Sequence, residues 1–209
     1  MGQESYSESC SRGGVIEYIP LNPRHFDVLR GKGYNELLLI NETIERSKTI
    51  REAGGFLKVT GRYPIYNIRH YIDKASDFIY RKGGAFYGDM KDHNLYKLLG
   101  LDWNSHSGYA VMYGTTVENY LNNIGCKFDT LNDSEGRLVE DMLFEYMKPF
   151  RGKRNTGVSC RFQLEPICGG LQGSSGDTLS FSKDNMSIKS KIMRLAGNCI
   201  RTFMPWFWF

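Results

Sequence analysis

The sequence predicts an α+β fold: a single domain with a small, mainly antiparallel sheet packed by several helices, plus a C-terminal amphipathic helix. Three observations carry this. Short runs such as Phe56-Leu57-Lys58-Val59-Thr60 are bounded by glycine and proline, which marks strands. Longer segments repeat apolar residues at spacings of three and four, which marks helices. A chain of 209 residues that is 41% hydrophobic can bury one sizeable core.

In chain order, residues 1–14 are polar and Gly/Ser-rich and read as a disordered leader. The core spans 15–168. Val15–Ile19 is expected as an extended segment ending at Pro20. Residues 22–54 mix charge and turn residues around a short apolar run, Leu37–Ile40. Phe56–Thr60 is a strand. A helix follows, with Ile65, Ile68, Ile72, Ala75 and Ile79 on one face and Gly83-Gly84 at its end. A second helix is expected from a capping Asp92 through Leu95, Leu98 and Leu99 to Gly100. Gly108–Met112 looks extended. Thr115-x-x-Glu118 reads as a capping box for a short helix that stops at Gly125. Cys126–Leu131 is expected as a strand. Ser134 should cap a helix carrying Leu138, Val139, Met142, Leu143, Tyr146 and Met147. Val158–Leu164 alternates and reads as a strand. Residues 169–183 form a Gly/Ser-rich linker, and 184–209 are a basic amphipathic helix with an aromatic end.

That last segment is the most informative. Residues 186–209 contain Lys189, Lys191, Arg194 and Arg201 and no acidic residue, so the whole formal charge of +4 resides there. Ile188, Ile192, Leu195, Cys199 and Phe203 recur on one face, widened by Met193, Ala196, Ile200 and Met204. Ser187, Lys191, Arg194, Asn198 and Arg201 recur opposite them. Pro205 ends the helix, and Trp206, Phe207, Trp208 and Phe209 follow. Basic charge, an apolar stripe and terminal tryptophans point to a segment lying on an anionic membrane surface. Two other readings stay open: packing on its own domain, or in a partner's groove. Its charges exclude a membrane-spanning helix.

Chemistry-bearing motifs are sparse. Five scattered cysteines include no C-x-x-C pair, so neither a disulfide framework nor a zinc site is indicated, and a reducing cytoplasmic setting is expected. No secretory signal is expected from the polar leader. The four histidines are far apart, and His93 beside Asp89 and Asp92 is a weak metal candidate. There is no phosphate-binding loop, and Arg161 occupies the position where a nucleophile elbow around Ser159 would need glycine. Cys160 lacks a histidine partner. No enzyme, cofactor or metal is expected. Lys148, Arg151, Lys153, Arg154 and Arg161, with Phe150 and Phe162 interleaved, could meet phosphates of RNA or lipid, although pairing with the nearby acids is the simpler outcome. Tyr18-Ile-Pro-Leu21 is a docking-peptide candidate.

The layout resembles rhabdovirus-type viral matrix proteins over roughly residues 15–165. Gly55-Phe56-Leu57-Lys58-Val59-Thr60-Gly61 followed by Arg69-His70-Tyr71-Ile72 and Phe78-Ile79-Tyr80 is similar to that family's strand, turn and long helix. Tyr96–Leu99, Lys148-Pro149-Phe150 and Glu17–Leu21 resemble later stretches and the end of its leader. The leader is not Lys-rich and lacks Pro-Pro-x-Tyr, unlike the family's; Tyr18 and Leu21 would replace that budding motif. The resemblance implies a non-enzymatic virion protein, peripheral at the inner face of the membrane in the host cell cytoplasm. Its implied partners are an anionic membrane surface, a viral nucleoprotein–RNA assembly, further copies of itself and host budding machinery. The alternative is an RNA-binding or silencing-suppressor-type protein using 148–161. Gly2 and Cys10 are candidate acylation sites.

Overall fold

The computed structural model describes residues 16–20, 26–61, 64–93, 106–169 and 188–203. The leader at 1–14, the helix expected over 94–100, the linker from 170 onward, Leu21, Asp184 and the aromatic end at Trp206–Phe209 lie outside the described residues.

The first element corrects an expectation. Helix α1 covers Gly31–Arg46, where only a short apolar run was anticipated. Leu37 and Ile44, two turns apart, are buried, and Tyr34 and Ile40 pack beside them. Its start is capped from a distance. The Asp133 carboxylate accepts the Lys32 N–H at 2.6 Å and the Gly33 N–H at 3.3 Å, supplying negative charge to a helix N-terminus. Gly31 sits at φ +87°, and a Cβ there would lie 2.5 Å from Asp133, so only glycine fits. The cap comes from about a hundred residues away, which is why local sequence hides this helix.

Helix α2, Lys48–Ala53, begins at Ser47, whose Oγ accepts the Ile50 N–H at 3.0 Å. Glu17 adds to this end: its carboxylate accepts the Ser47 hydroxyl at 2.5 Å and the Lys48 N–H at 3.2 Å. The segment expected to be extended up to Pro20 joins no sheet over its described residues. Residues 16–20 have no regular structure, because Glu17 answers a helix terminus rather than a sheet edge. Arg46 also holds this segment, donating to the Pro20 carbonyl.

Strand β1 is Gly55–Val59, close to the prediction. Helix α3, Ile68–Ser76, continues as a π-helical turn over Asp77–Arg81. The remaining strands are β2 (Phe86–Tyr87), β3 (Met90–Asp92), β4 (His106–Gly108), β5 (Met112–Thr116) and β6 (Val158–Ser159). The main sheet has the order β1-β5-β2-β6, and β3 and β4 form a separate antiparallel ribbon. In the main sheet β5 pairs antiparallel with both β1 and β2, whereas β6 joins β2 in parallel. Asp92 is the last residue of β3, and the helix it was expected to cap lies outside the described residues.

Alternation along the strands divides the core into two clusters. Phe86 and Tyr113 face Leu37 of α1 and the helices after β5. Their strand neighbours Tyr87 and Met112 face Tyr71 and Ala75 of α3. The sheet is covered on both sides. Gly114 permits this: a Cβ there would stand 2.9 Å from the Ala75 Cβ.

Helix α4 is Val117–Asn123, and its cap is Thr116, one residue later than the predicted capping box. Thr116 Oγ1 accepts the Asn119 N–H at 3.1 Å, while Thr115 is buried in β5 and donates to the Ala85 carbonyl. The expected strand at Cys126–Leu131 is a 3-10 helix, Gly125–Thr130. Ser134 lies in a short 3-10 turn, so helix α5 starts later, at Val139, and runs to Met147. Val139, Leu143, Phe144 and Met147 fill the core as the apolar pattern implied. Strand β6 is only two residues long. The alternation beyond it is real, since Cys160 and Phe162 are buried, but the backbone there bonds irregularly: Phe162 N–H donates to the Asp89 side chain at 2.9 Å. The last described element is helix α6, Ile188–Phe203.

Candidate functional site

Helix α6 docks on the core through its polar face. Arg201 Nη1 donates to both carboxylate oxygens of Asp89 at 2.9 Å and to the Phe162 carbonyl at 3.2 Å. Its Nε lies 3.6 Å from Glu165. Asn198, one turn back, accepts the Glu165 N–H at 3.0 Å, and Gly197 beside it is buried. The Arg201 side chain is 10% exposed and that of Asp89 8%. Burial alone would lower the Arg201 pKa; the Asp89 carboxylate, assisted by Glu165, outweighs it and holds the pKa above its ordinary value. Arg201 is therefore not part of a solvent-facing basic stripe. This corrects the membrane-contact set, and the reason is a carboxylate, Asp89, that is 112 residues distant and invisible to helical periodicity.

The opposite face of α6 is left outside. Ile192, Leu195 and Phe203 are 62%, 66% and 74% exposed, and Cys199 is exposed with them. A terminal helix that merely completed its own core would bury this stripe; here it is the side that does not touch the domain. Lys191 is exposed and borders the stripe by helical spacing. The side chains of Lys189 and Arg194 are outside the described set, as are Trp206, Phe207, Trp208 and Phe209. No helix among the described residues is long and apolar enough to cross a membrane.

The basic stretch after α5 divides in two. Lys148 pairs with Glu145 at 3.3 Å, and Arg151 pairs with the buried carboxylate of Asp92. Arg151 is thereby tied to the interior, whereas Lys148 makes a surface pair in which both side chains are more than half exposed. Lys153 and Arg154 are exposed and form no ion pair among the described residues. They line a cleft of about 860 Å³ together with Arg161, Lys82 and Arg201. No carboxylate lines it among the described residues. Gly83, Gly152, Asn155 and Gly157, all in the left-handed backbone region, curve the chain around it. Arg161 is half-buried there, and its pKa falls to about 10 because burial and the neighbouring Arg201 charge both oppose its protonated form. Sequence reasoning found Lys153, Arg154 and Arg161 but missed Lys82 and Thr202, which reach the cleft from the turn after α3 and from α6.

Tyr18 is 85% exposed on the segment pinned by Glu17. Of the other candidates, Cys160 is buried and His93 half-buried. The Cys160 thiol is pushed up to about 12 by burial, with Sγ directed at the Met147 carbonyl. His93 has its pKa lowered chiefly by burial. Among the described residues no group of three His, Cys, Asp or Glu is placed to hold a metal ion. The chain matches no protein-family model, no curated protein and no solved structure.

Proposed function

We propose that the protein is a non-enzymatic, membrane-peripheral structural protein, attached to an anionic membrane surface by α6. The observation that carries this is the orientation of α6: its apolar stripe, Ile192, Leu195, Cys199 and Phe203, faces solvent while its polar face is locked to the core by Arg201 and Asn198. An apolar helix face held outward on a rigid base can enter the headgroup–acyl boundary without prior unfolding. Lys191 at its margin, and the tryptophans that follow in sequence, suit that interface. The viral-matrix role is the finer form of the proposal and draws on the resemblance described above. In it the protein self-associates, links a nucleoprotein–RNA assembly to the envelope and engages budding machinery through Tyr18 and Leu21. The RNA-binding alternative is weaker, because Arg151 is engaged with the buried Asp92 carboxylate.

Vesicle co-sedimentation tests the attachment. Wild type should pellet with anionic vesicles, and Ile192→Ser/Leu195→Ser/Phe203→Ser should stay in the supernatant with an unchanged circular dichroism spectrum. If the triple variant pellets like wild type, attachment through α6 is wrong. If instead wild type is dimeric without lipid and the triple variant monomeric, the stripe is a self-association surface and the proposal fails.

A further inference from the structure

The cleft beside α6 has a composition that a membrane-attachment role alone does not require. Lys82, Lys153, Arg154, Arg161 and Arg201 all line it, with no carboxylate among the described lining residues. Arg201 is committed to Asp89, and Lys82 reaches Asp77 at 2.8 Å, which leaves Lys153 and Arg154 as exposed lining cations with no ion pair among the described residues. Burial and the neighbouring Arg201 charge oppose the protonated form of Arg161 while Asp89 and Glu165 favour it, and an anion in the cleft would favour it further. Ser159, Thr202 and Gln163 add hydroxyl and amide groups to the lining, while Phe78 and Phe150 supply apolar wall. The volume suits a headgroup-sized molecule and is large for a single phosphate. Thr202 and Arg201 belong to the same helix that carries the exposed stripe.

We propose that this cleft binds a polyphosphorylated inositol headgroup, so that α6 inserts where such a lipid is present. The proposal deepens the membrane-attachment reading and rests on it for the biological source of the ligand. Cationic side chains on a Gly-rich, left-handed loop recognise several phosphate oxygens at once, and the hydroxyls of the ring meet Ser159 and Thr202. The same chemistry could come from a soluble inositol phosphate or from the lipid, and the two are separable.

The test uses the full chain. Titration calorimetry with inositol trisphosphate and with inorganic phosphate measures the cleft alone. Vesicles of phosphatidylcholine with phosphatidylinositol bisphosphate, or with phosphatidylserine at equal charge, measure it in a membrane. The trisphosphate should bind about a hundredfold tighter than phosphate, and Lys153→Ala/Arg154→Ala should weaken it about tenfold or more. That variant alters exposed side chains, so it should fold normally. It should also lose phosphoinositide vesicles far more than phosphatidylserine vesicles. The Ile192→Ser/Leu195→Ser/Phe203→Ser variant should lose vesicles but keep the trisphosphate, which distinguishes failure of the stripe from failure of the cleft. Trisphosphate binding no tighter than phosphate overturns the proposal. So does trisphosphate binding unaffected by the double substitution, or equal loss on the two vesicle types. If wild type binds the trisphosphate but favours phosphoinositide vesicles no more than phosphatidylserine, the soluble ligand is the source and the lipid form is wrong. If a single-stranded RNA displaces the trisphosphate and binds more tightly, the cleft is an RNA site and the proposal is likewise overturned.

Discussion

At the scale of single residues, Asp89 does the most unexpected work. It accepts two bonds from Arg201 and one from the Phe162 amide while almost fully buried. Removing one partner of such a pair strands the other charge. Asp89→Ala should cost about 3–5 kcal/mol in denaturant unfolding and abolish amide-exchange protection in α6. Glu140 offers a pH test. Burial raises its pKa above the ordinary 4.5. The fold thus binds this proton more tightly than the unfolded chain does, and stability falls as pH rises through that range. Glu140→Gln should therefore stabilise the protein at neutral pH, with the advantage fading below about pH 4, as seen in unfolding curves at the two pH values. Tyr18 makes the opposite case. Being 85% exposed, its change to Ala should alter stability by less than about 0.5 kcal/mol. If the docking reading is right, the same change lowers particle release.

At the scale of elements, packing depends on where side chains are missing. A Cβ on Gly108 in β4 would lie 2.5 Å from the Leu143 Cβ and 2.8 Å from the Phe144 amide nitrogen, so α5 crosses the ribbon in near-backbone contact. Gly108→Ala should cost about 1–3 kcal/mol by overpacking. Gly61, with no atom within 4 Å of its would-be Cβ, is the control, and Gly61→Ala should leave the thermal midpoint nearly unchanged. Strand β1, helix α3 and the apolar face of α5 were legible because their own residues carry the period. Helix α1 was not, because its N-terminal cap is Asp133 and Asn41 interrupts the stripe of Tyr34, Leu37 and Ile44. The strand expected at 126–131 failed for a related reason. A short apolar run does not declare its period, and the backbone there turned into a 3-10 helix packed against α1.

At the scale of the whole molecule, β2 and β5 belong to both core clusters. Phe86 and Tyr113 face one, and Tyr87 and Met112 the other. A lesion in either should therefore unfold both. Leu37→Ala, at a site with no exposure, should cost about 2–5 kcal/mol. It should also lower the urea midpoint equally for amide probes at Leu37 and at Tyr71, on the far side of the sheet. Separate transitions would show that the two clusters are independent units. By itself the sequence determined that a small-sheet α+β domain precedes a basic amphipathic helix, and that Lys153, Arg154 and Arg161 lie close along the chain. Composition and local period suffice for that. Only the tertiary structure decided which way α6 faces. A helical wheel shows two faces and cannot say which one meets a partner. The buried carboxylate of Asp89 settles it, because Arg201 can enter the interior only where an opposite charge is already waiting, and that turns the apolar stripe outward.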